Sequence, residues 1–371
     1  MGLEADNMVI SEAQLSKTKE RLYWNVIRGI AIYLMLWGHC IQYCAMDSFS
    51  FFEDPAFKAI YSFHMPLFMI VSGYLYYGSF EKRDLRDLLT HRIQSLLWPI
   101  IGGTVINNLL MTIPAAILSR GQVPSLFNGA LLQGWNYSLW FLWSVLSCST
   151  AVGVACKVGK TPFLRIIYLS LGVLFVSLFP NANENLFMYP FFIVGFFMAK
   201  HKQFLFTAFG RIKYIVFLLF PVLLLFYKRE HYIYITPMFG AELGAVYNLK
   251  VDLFRFFIGL VGSLFLLILV SLVFRRLSCS DEHIPKFWAV LSRLGEDSLP
   301  IYCLSVPLLS GYLPHIFRKC MEPFGYNLLA GNWILYNLIF TPLLAAGYCT
   351  ALLVVIRLLK KIRVHKLLFG R

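Results

Sequence analysis

Runs of 16 to 26 weakly charged residues follow one another along almost the whole of this chain. A helix needs about 20 apolar residues to cross the hydrocarbon core of a bilayer, and backbone in lipid must satisfy its own hydrogen bonds. Such a chain is confined to a bundle of membrane helices. Only 14% of its 371 residues are charged, against about 25% in a soluble domain. Ten spans fit hydropathy and charge together, near residues 22–43, 57–79, 93–118, 138–156, 163–179, 186–199, 213–227, 252–274, 298–314 and 333–357. The expected class is therefore all-α, a polytopic membrane protein. One integral domain, 21–358, lies between a polar extension, 1–20, and a basic tail, 359–371. The connecting loops are too short for a second fold, and the loop at 228–251 has room for a re-entrant piece.

The formal charge of +14 invites a nucleic-acid reading. Its distribution argues against one, because 24 Lys and Arg fall in alternate loops and 7 in the others, with Arg28 and Arg255 inside spans. That bias is the positive-inside pattern, which puts both termini in the cytoplasm. The basic charge then meets anionic lipid rather than nucleic acid. Eight cysteines include no CxxC pair and no His/Cys set with zinc spacing, so neither a disulfide framework nor a metal site is expected. The first twenty residues lack the features of a cleavable signal, so the first span is expected to stay as a signal anchor.

Against this background three ionisable residues stand inside apolar segments. RGIAIYLMLWGH carries Arg28 and His39, and SFHMPLFMIVSGY carries His64. A charge at membrane depth costs roughly 2.5–3.5 kcal/mol on insertion scales and usually faces an internal cavity. Eleven residues advance a helix by about 20° beyond three full turns, so Arg28 and His39 share a face about 16–17 Å apart along the axis. The first span runs outward and the second returns, which brings His39 and His64 to similar depth near the outer surface, with Arg28 near the inner one. The plain alternative is packing: a hydrogen-bonded structural histidine, or an arginine that snorkels to the interface. Gln42, Ser62 and Ser72 are candidate partners under either reading. Asp252 and Arg255, three residues apart, read as an internal ion pair. Asn107, Asn108 and Asn337 read as hydrogen-bond links between helices.

Other motifs fail. GVACKVGK at 153–160 has five residues rather than four between its glycines and no strand before it, so it is not a phosphate loop. Cys44 stands five residues after His39, where an HxxxxD acyltransferase would have Asp, and GxSxG is absent.

Arg28 and His39 in an Arg-x10-His pair, SFHMPLFMIVSGY, HRIQSLLWP with Arg92 and Pro99, LWFLW with Trp140 and Trp143, and LGEDSLPIY with Gly295, Ser298 and Tyr302 occur in this order. Together they resemble the acyltransferase-3 family of integral membrane acyltransferases, over roughly residues 20–355. The chain looks closest to the fucose 4-O-acetylase-like and polysaccharide O-acetyltransferase members. The resemblance implies about ten helices in the cytoplasmic (inner) membrane. It also implies transfer of an acyl group, usually acetyl, from cytoplasmic acyl-CoA to a hydroxyl of an extracytoplasmic or lipid-linked glycan. It makes Arg28 and His39 the essential pair and links Arg92 with acyl-CoA. The second position of that basic pair is Ser95 here, and Ser305 stands where the family often has a histidine.

The placement and the family activity combine into one expected site. Arg92 and Arg86 would hold the phosphates of acyl-CoA, Arg28 would steady the donor, and His39 would act as general base. An acyl-His intermediate is the variant left open. His64 would orient His39 or polarise the thioester carbonyl, and Trp140, Tyr302 and Ser72 would contact substrate. No permanently bound cofactor is expected. The rival readings are a glycan or lipid transporter using the same Arg/His path, and a membrane acyltransferase acting on a protein or a lipid head group.

Overall fold

A computed structural model of the chain describes residues 2–44, 50–118, 139–239, 244–277, 285–307, 309, 319–320 and 332–369. Every regular element among them is helical. The helices are α1 (Gly2–Tyr43), α2 (Pro55–Lys82), α3 (Leu85–Leu118), α4 (Trp140–Val158), α5 (Pro162–Val176), α6 (Ala182–Lys200), α7 (Lys202–Leu225), α8 (Ala245–Leu277), α9 (Lys286–Glu296), α10 (Ser298–Pro307), α11 (Thr341–Lys361) and α12 (Val364–Phe369). A π-helical stretch, Leu335–Phe340, leads into α11. Local chemistry sets the entries. Asp54 accepts a hydrogen bond from the Phe57 amide (2.8 Å) and Pro55 opens α2, while Thr161 caps α5 ahead of Pro162. A side-chain oxygen at the cap followed by proline is the favoured start of a helix.

Five helical stretches are long and apolar enough to cross a membrane: Leu85–Leu110, Trp140–Val158, Thr207–Leu225, Ala245–Phe274 and Leu335–Lys361. The helices α1, α2 and α6 fall short of that apolar content, and α1 and α2 are the ones that carry Arg28, His39 and His64. Polar residues within these helices lower their mean hydropathy. The expected fifth span is the short apolar helix α5, and of the ninth only the part in α10 and Leu309 falls within the described residues. The loop between the third and fourth spans, 119–137, lies outside them. The described part of the loop at 228–251 before α8, through 239, opens with a short 3-10 helix, Arg229–His231, and continues as turns. The tail continues α11 to Lys361, and α12 then packs on α3 opposite Gly102, with Phe369 fully buried.

Specific contacts define the two ends of the bundle. At one, Tyr74 donates to Glu20 (2.7 Å), Lys202 pairs with Glu20, and Lys157 lies 4.5 Å over the Phe80 ring. This is the basic end. At the other, Tyr232 donates to the Phe52 carbonyl (3.2 Å), Tyr336 to the Ile41 carbonyl (2.8 Å), and Asn337 to Asp54. Asn337 is thus the interhelical link expected of it. Among the described residues Asn108 makes no such link, and its amide donates to the Thr104 carbonyl one turn back in its own helix.

The core is built on α2 packed against α6. A side chain at Gly195 would overlap the Ile70 carbonyl, and one at Gly73 would overlap the Phe192 carbonyl. Small residues let helix backbones approach this closely. Gly195→Val should therefore destabilise the fold by about 1–3 kcal/mol through overpacking, read as a lowered melting temperature or loss of the monodisperse peak in detergent.

Asp252 and Arg255 form the expected pair, with Arg255 2% exposed and also donating to the Thr236 carbonyl (2.8 Å). Removing one member leaves a buried uncompensated charge, which costs about 3–5 kcal/mol, whereas replacing both is milder. Asp252→Ala should lower the melting temperature more than the double variant Asp252→Leu/Arg255→Met.

Candidate active site

Three adjoining cavities lie among α1, α2, α3, α4, α6, α8, α10 and the turn after α7. The lower one, about 280 Å³, opens toward the basic end and is lined by Arg28, Ser72, His91, Arg92, Ser298 and Tyr302 among others. The upper chamber, about 250 Å³, is lined by His39, Gln42 and a ring of aromatic side chains that includes Tyr61, Trp140, Tyr234 and Tyr302. A third space of about 30 Å³ holds His64, Tyr61, Trp140, His231 and Arg255. Tyr302 lines both the lower cavity and the upper chamber, Met65 lines the lower cavity and the His64 space, and Tyr61 and Trp140 line the upper chamber and the His64 space. The sequence combines these residues into one expected site. In the structure the spaces abut across aromatic walls: Tyr302 meets Phe141 edge to face at 6.0 Å and accepts a hydrogen bond from its amide (3.3 Å).

Seven of the eight expected residues come together around these spaces. Arg28 donates to Ser298 Oγ at 2.7 Å, at the first residue of α10. Arg92 lies 4.4 Å over the Tyr76 ring, a favourable place for a guanidinium. Ser72 lines the lower cavity beside them, and Tyr302 and Trp140 wall the chamber. Arg86 does not join. It is exposed on the first turns of α3 and lines none of these cavities, since six residues before Arg92 turns its side chain to another face of the helix.

The histidines occupy different settings. His39 is half-buried, its Nδ1 3.3 Å from Gln42 Oε1 and 3.2 Å from Tyr61 Oη, and its ring stacks on Tyr43 at 5.6 Å. His64 is 3% exposed, and its Nδ1 lies 2.9 Å from the Ile60 carbonyl oxygen. That oxygen only accepts, so Nδ1 of His64 carries the proton and the neutral ring offers a lone pair at Nε2. A neutral His64 therefore cannot polarise a carbonyl from Nε2, which removes one of its two expected roles. The Tyr61 ring stands between the imidazoles, 4.8 Å from His64 and 6.2 Å from His39.

The residues missed in the sequence are Tyr61, His91, His231 and the aromatic lining. Tyr61 precedes His64 by three residues and so shares its helix face, and His91 adjoins Arg92; both signals were available. His231 lies in a turn far along the chain and carried no such signal. Burial pushes the His231 imidazole below its ordinary value, so it adds little positive charge beside Arg255. No group of three or more His, Cys, Asp or Glu suited to a metal occurs among the described residues.

The lower cavity thus presents Arg28, His91 and Arg92 to an anion, and the upper chamber presents a hydrogen-bonded imidazole among aromatic rings, a setting for an uncharged polar molecule. Comparison with known proteins adds the family. Two curated relatives are nodulation proteins named NolL. The one from Mesorhizobium japonicum is 27% identical over 183 residues, and the one from Sinorhizobium fredii 30% over 190. Each match covers 48% of this chain and 48% of the relative, so the chain spans about half the length of the curated relatives it matches. No solved structure matches. The acyltransferase-3 family model, described as an acyltransferase domain, matches residues 21–357, and this chain belongs to that family of membrane acyltransferases.

Proposed function

We propose that the protein is a membrane O-acyltransferase, of acetyl in the simplest case, that takes the acyl group from cytoplasmic acyl-CoA and esterifies a hydroxyl of an extracytoplasmic or lipid-linked glycan. In this reading ten spans cross the cytoplasmic (inner) membrane, both termini lie in the cytoplasm, and the basic end faces the donor. The observation that carries it is Tyr302, the shared wall between a cation-lined cavity and an imidazole-bearing aromatic chamber. Donor and acceptor enter from opposite ends and meet at that wall.

The lower cavity is too small for a whole acyl-CoA, so the nucleotide stays toward the basic end, with Arg92 and His91 near its phosphates. The thin pantetheine arm carries the thioester past Arg28 to Tyr302. The acceptor sugar lies in the upper chamber, its faces against aromatic rings. His39 takes the hydroxyl proton as the oxygen attacks the thioester carbon. The C–S bond then breaks, and the proton passes from the imidazolium to the departing thiolate. The aromatic walls keep water from the thioester, which limits hydrolysis.

Radiolabelled acetyl-CoA supplied to purified protein with lipid-linked saccharides tests the reaction directly. His39→Ala should lower ester formation by about 10²–10⁴-fold, the usual worth of a general base, and Arg28→Ala should abolish it, with protein level and membrane insertion unchanged. Arg92→Ala should raise the KM for acetyl-CoA by about tenfold or more, the scale of a lost charged hydrogen bond, while leaving acceptor use alone. Loss of protein along with activity would assign these residues to packing.

A further inference from the structure

The environment of His39 has a chemical consequence beyond its place in the chamber. Its Nδ1 faces two oxygens at once, Gln42 Oε1 at 3.3 Å and Tyr61 Oη at 3.2 Å, and Tyr61 in turn donates to Gln42 Oε1 at 3.2 Å. An amide oxygen can only accept. Once the Tyr61 proton is committed to Gln42, the tyrosine oxygen can only accept from Nδ1 as well. Both partners therefore require the hydrogen of the neutral ring to sit on Nδ1. The lone pair is left on Nε2, which has no hydrogen-bond partner among the described residues.

From this triangle we infer that Gln42 and Tyr61 are positioning residues that hold His39 in its Nδ1–H tautomer and aim the Nε2 lone pair at the acceptor hydroxyl. The inference rests on the acyltransferase reading for what the lone pair does, but not for where the proton is. Three further contacts fix the ring plane. Tyr43, one helical turn on, stacks at 15° to the imidazole. The Tyr61 ring meets it edge-on at 88° and is itself stacked on Phe57 at 3.9 Å. A flip of the His39 ring within this plane would put Cδ2 where Nδ1 stands and lose both hydrogen bonds. The same pair of oxygens then favours the imidazolium formed in the reaction, since Nδ1–H becomes a stronger donor when the ring is charged. In the well-studied serine hydrolases a carboxylate plays this part; here the task falls to a neutral amide and a phenol. That fits the chamber, where the described titratable neighbours of His39 are tyrosines from α1, α2, α10 and the 232–234 turn, together with the His64 imidazole on α2, with no carboxylate among them.

Nitrogen NMR of protein labelled at its eight histidines tests the tautomer without any need for activity. The signals that disappear in His39→Ala should show protonated Nδ1 and unprotonated Nε2. The opposite pattern means that the Gln42 amide is turned the other way, and overturns the inference. Kinetics provide the second arm. Gln42→Glu keeps the acceptor and adds a charge, so it should preserve the plateau kcat within a few-fold and move the acid limb of the pH–rate profile to higher pH by about one unit. Gln42→Leu and Tyr61→Phe should lower kcat by about tenfold or more with the KM for acetyl-CoA unchanged. A Gln42→Glu protein as impaired as Gln42→Leu, with its acid limb unmoved, marks a purely structural contact and refutes the assignment. If the wild type forms no ester with any acceptor, the acyltransferase reading fails, and the NMR result still decides the tautomer.

Discussion

A polar group that enters an apolar bundle has nowhere to find water, and its need for a partner dictates which helices must touch. In this protein the groups that link the helices of the site are met by specific contacts among the described residues. Arg28 reaches Ser298 and so ties α1 to α10, while His39 reaches Tyr61 and ties α1 to α2. Asp54 caps α2 and also accepts from Asn337 at the foot of α11. Arg255 is held by Asp252 and by the carbonyl of Thr236 in the preceding turn. Losing such a partner inside a bundle costs more than losing one at a wet surface, because the abandoned group stays desolvated. The cross-links that satisfy polar atoms therefore also set the spacing of α1, α2 and α10, and that spacing produces the cavities.

The same constraint separates what the sequence could disclose from what it could not. Arg28, His39 and His64 were legible because an ionisable side chain in an apolar run is costly wherever it points, and their helix faces follow from spacing alone. The Asp252–Arg255 pair was legible for the same reason. The partners were harder. Ser298 is about 270 residues from Arg28, and nothing local to either announces the contact. Tyr232 and Tyr234 reach the chamber from a turn after α7, and in a chain that is 17% aromatic no single tyrosine stands out. Arg86 was included because it lies near Arg92 in sequence, but proximity along a helix is not proximity in space when the angular offset is wrong. Of the ten expected spans, five described stretches have the length and apolar content to cross a membrane, and polar residues keep α1, α2 and α6 below that mark.

In the proposed reaction, aromatic walls let one small bundle serve two solutes of opposite character. The lower cavity gathers guanidinium and imidazole groups from α1 and α3, whereas the described lining of the upper chamber carries no formal charge. In that proposal a highly charged donor would be stabilised only in the first, and a sugar ring with apolar faces only in the second. Tyr302 keeps the two environments apart while remaining in contact with both. A larger opening there would let water and counter-ions join the two spaces, which in the proposed reaction would weaken the attraction of Arg28 and Arg92 for the donor and expose its thioester to hydrolysis. In the proposed reaction the reacting atoms meet across the narrowest part of the path. The machinery they need is then small: a cation below, a correctly protonated imidazole above, and enough rigid aromatic packing to keep the hydroxyl, the thioester carbon and Nε2 of His39 within reach of one another.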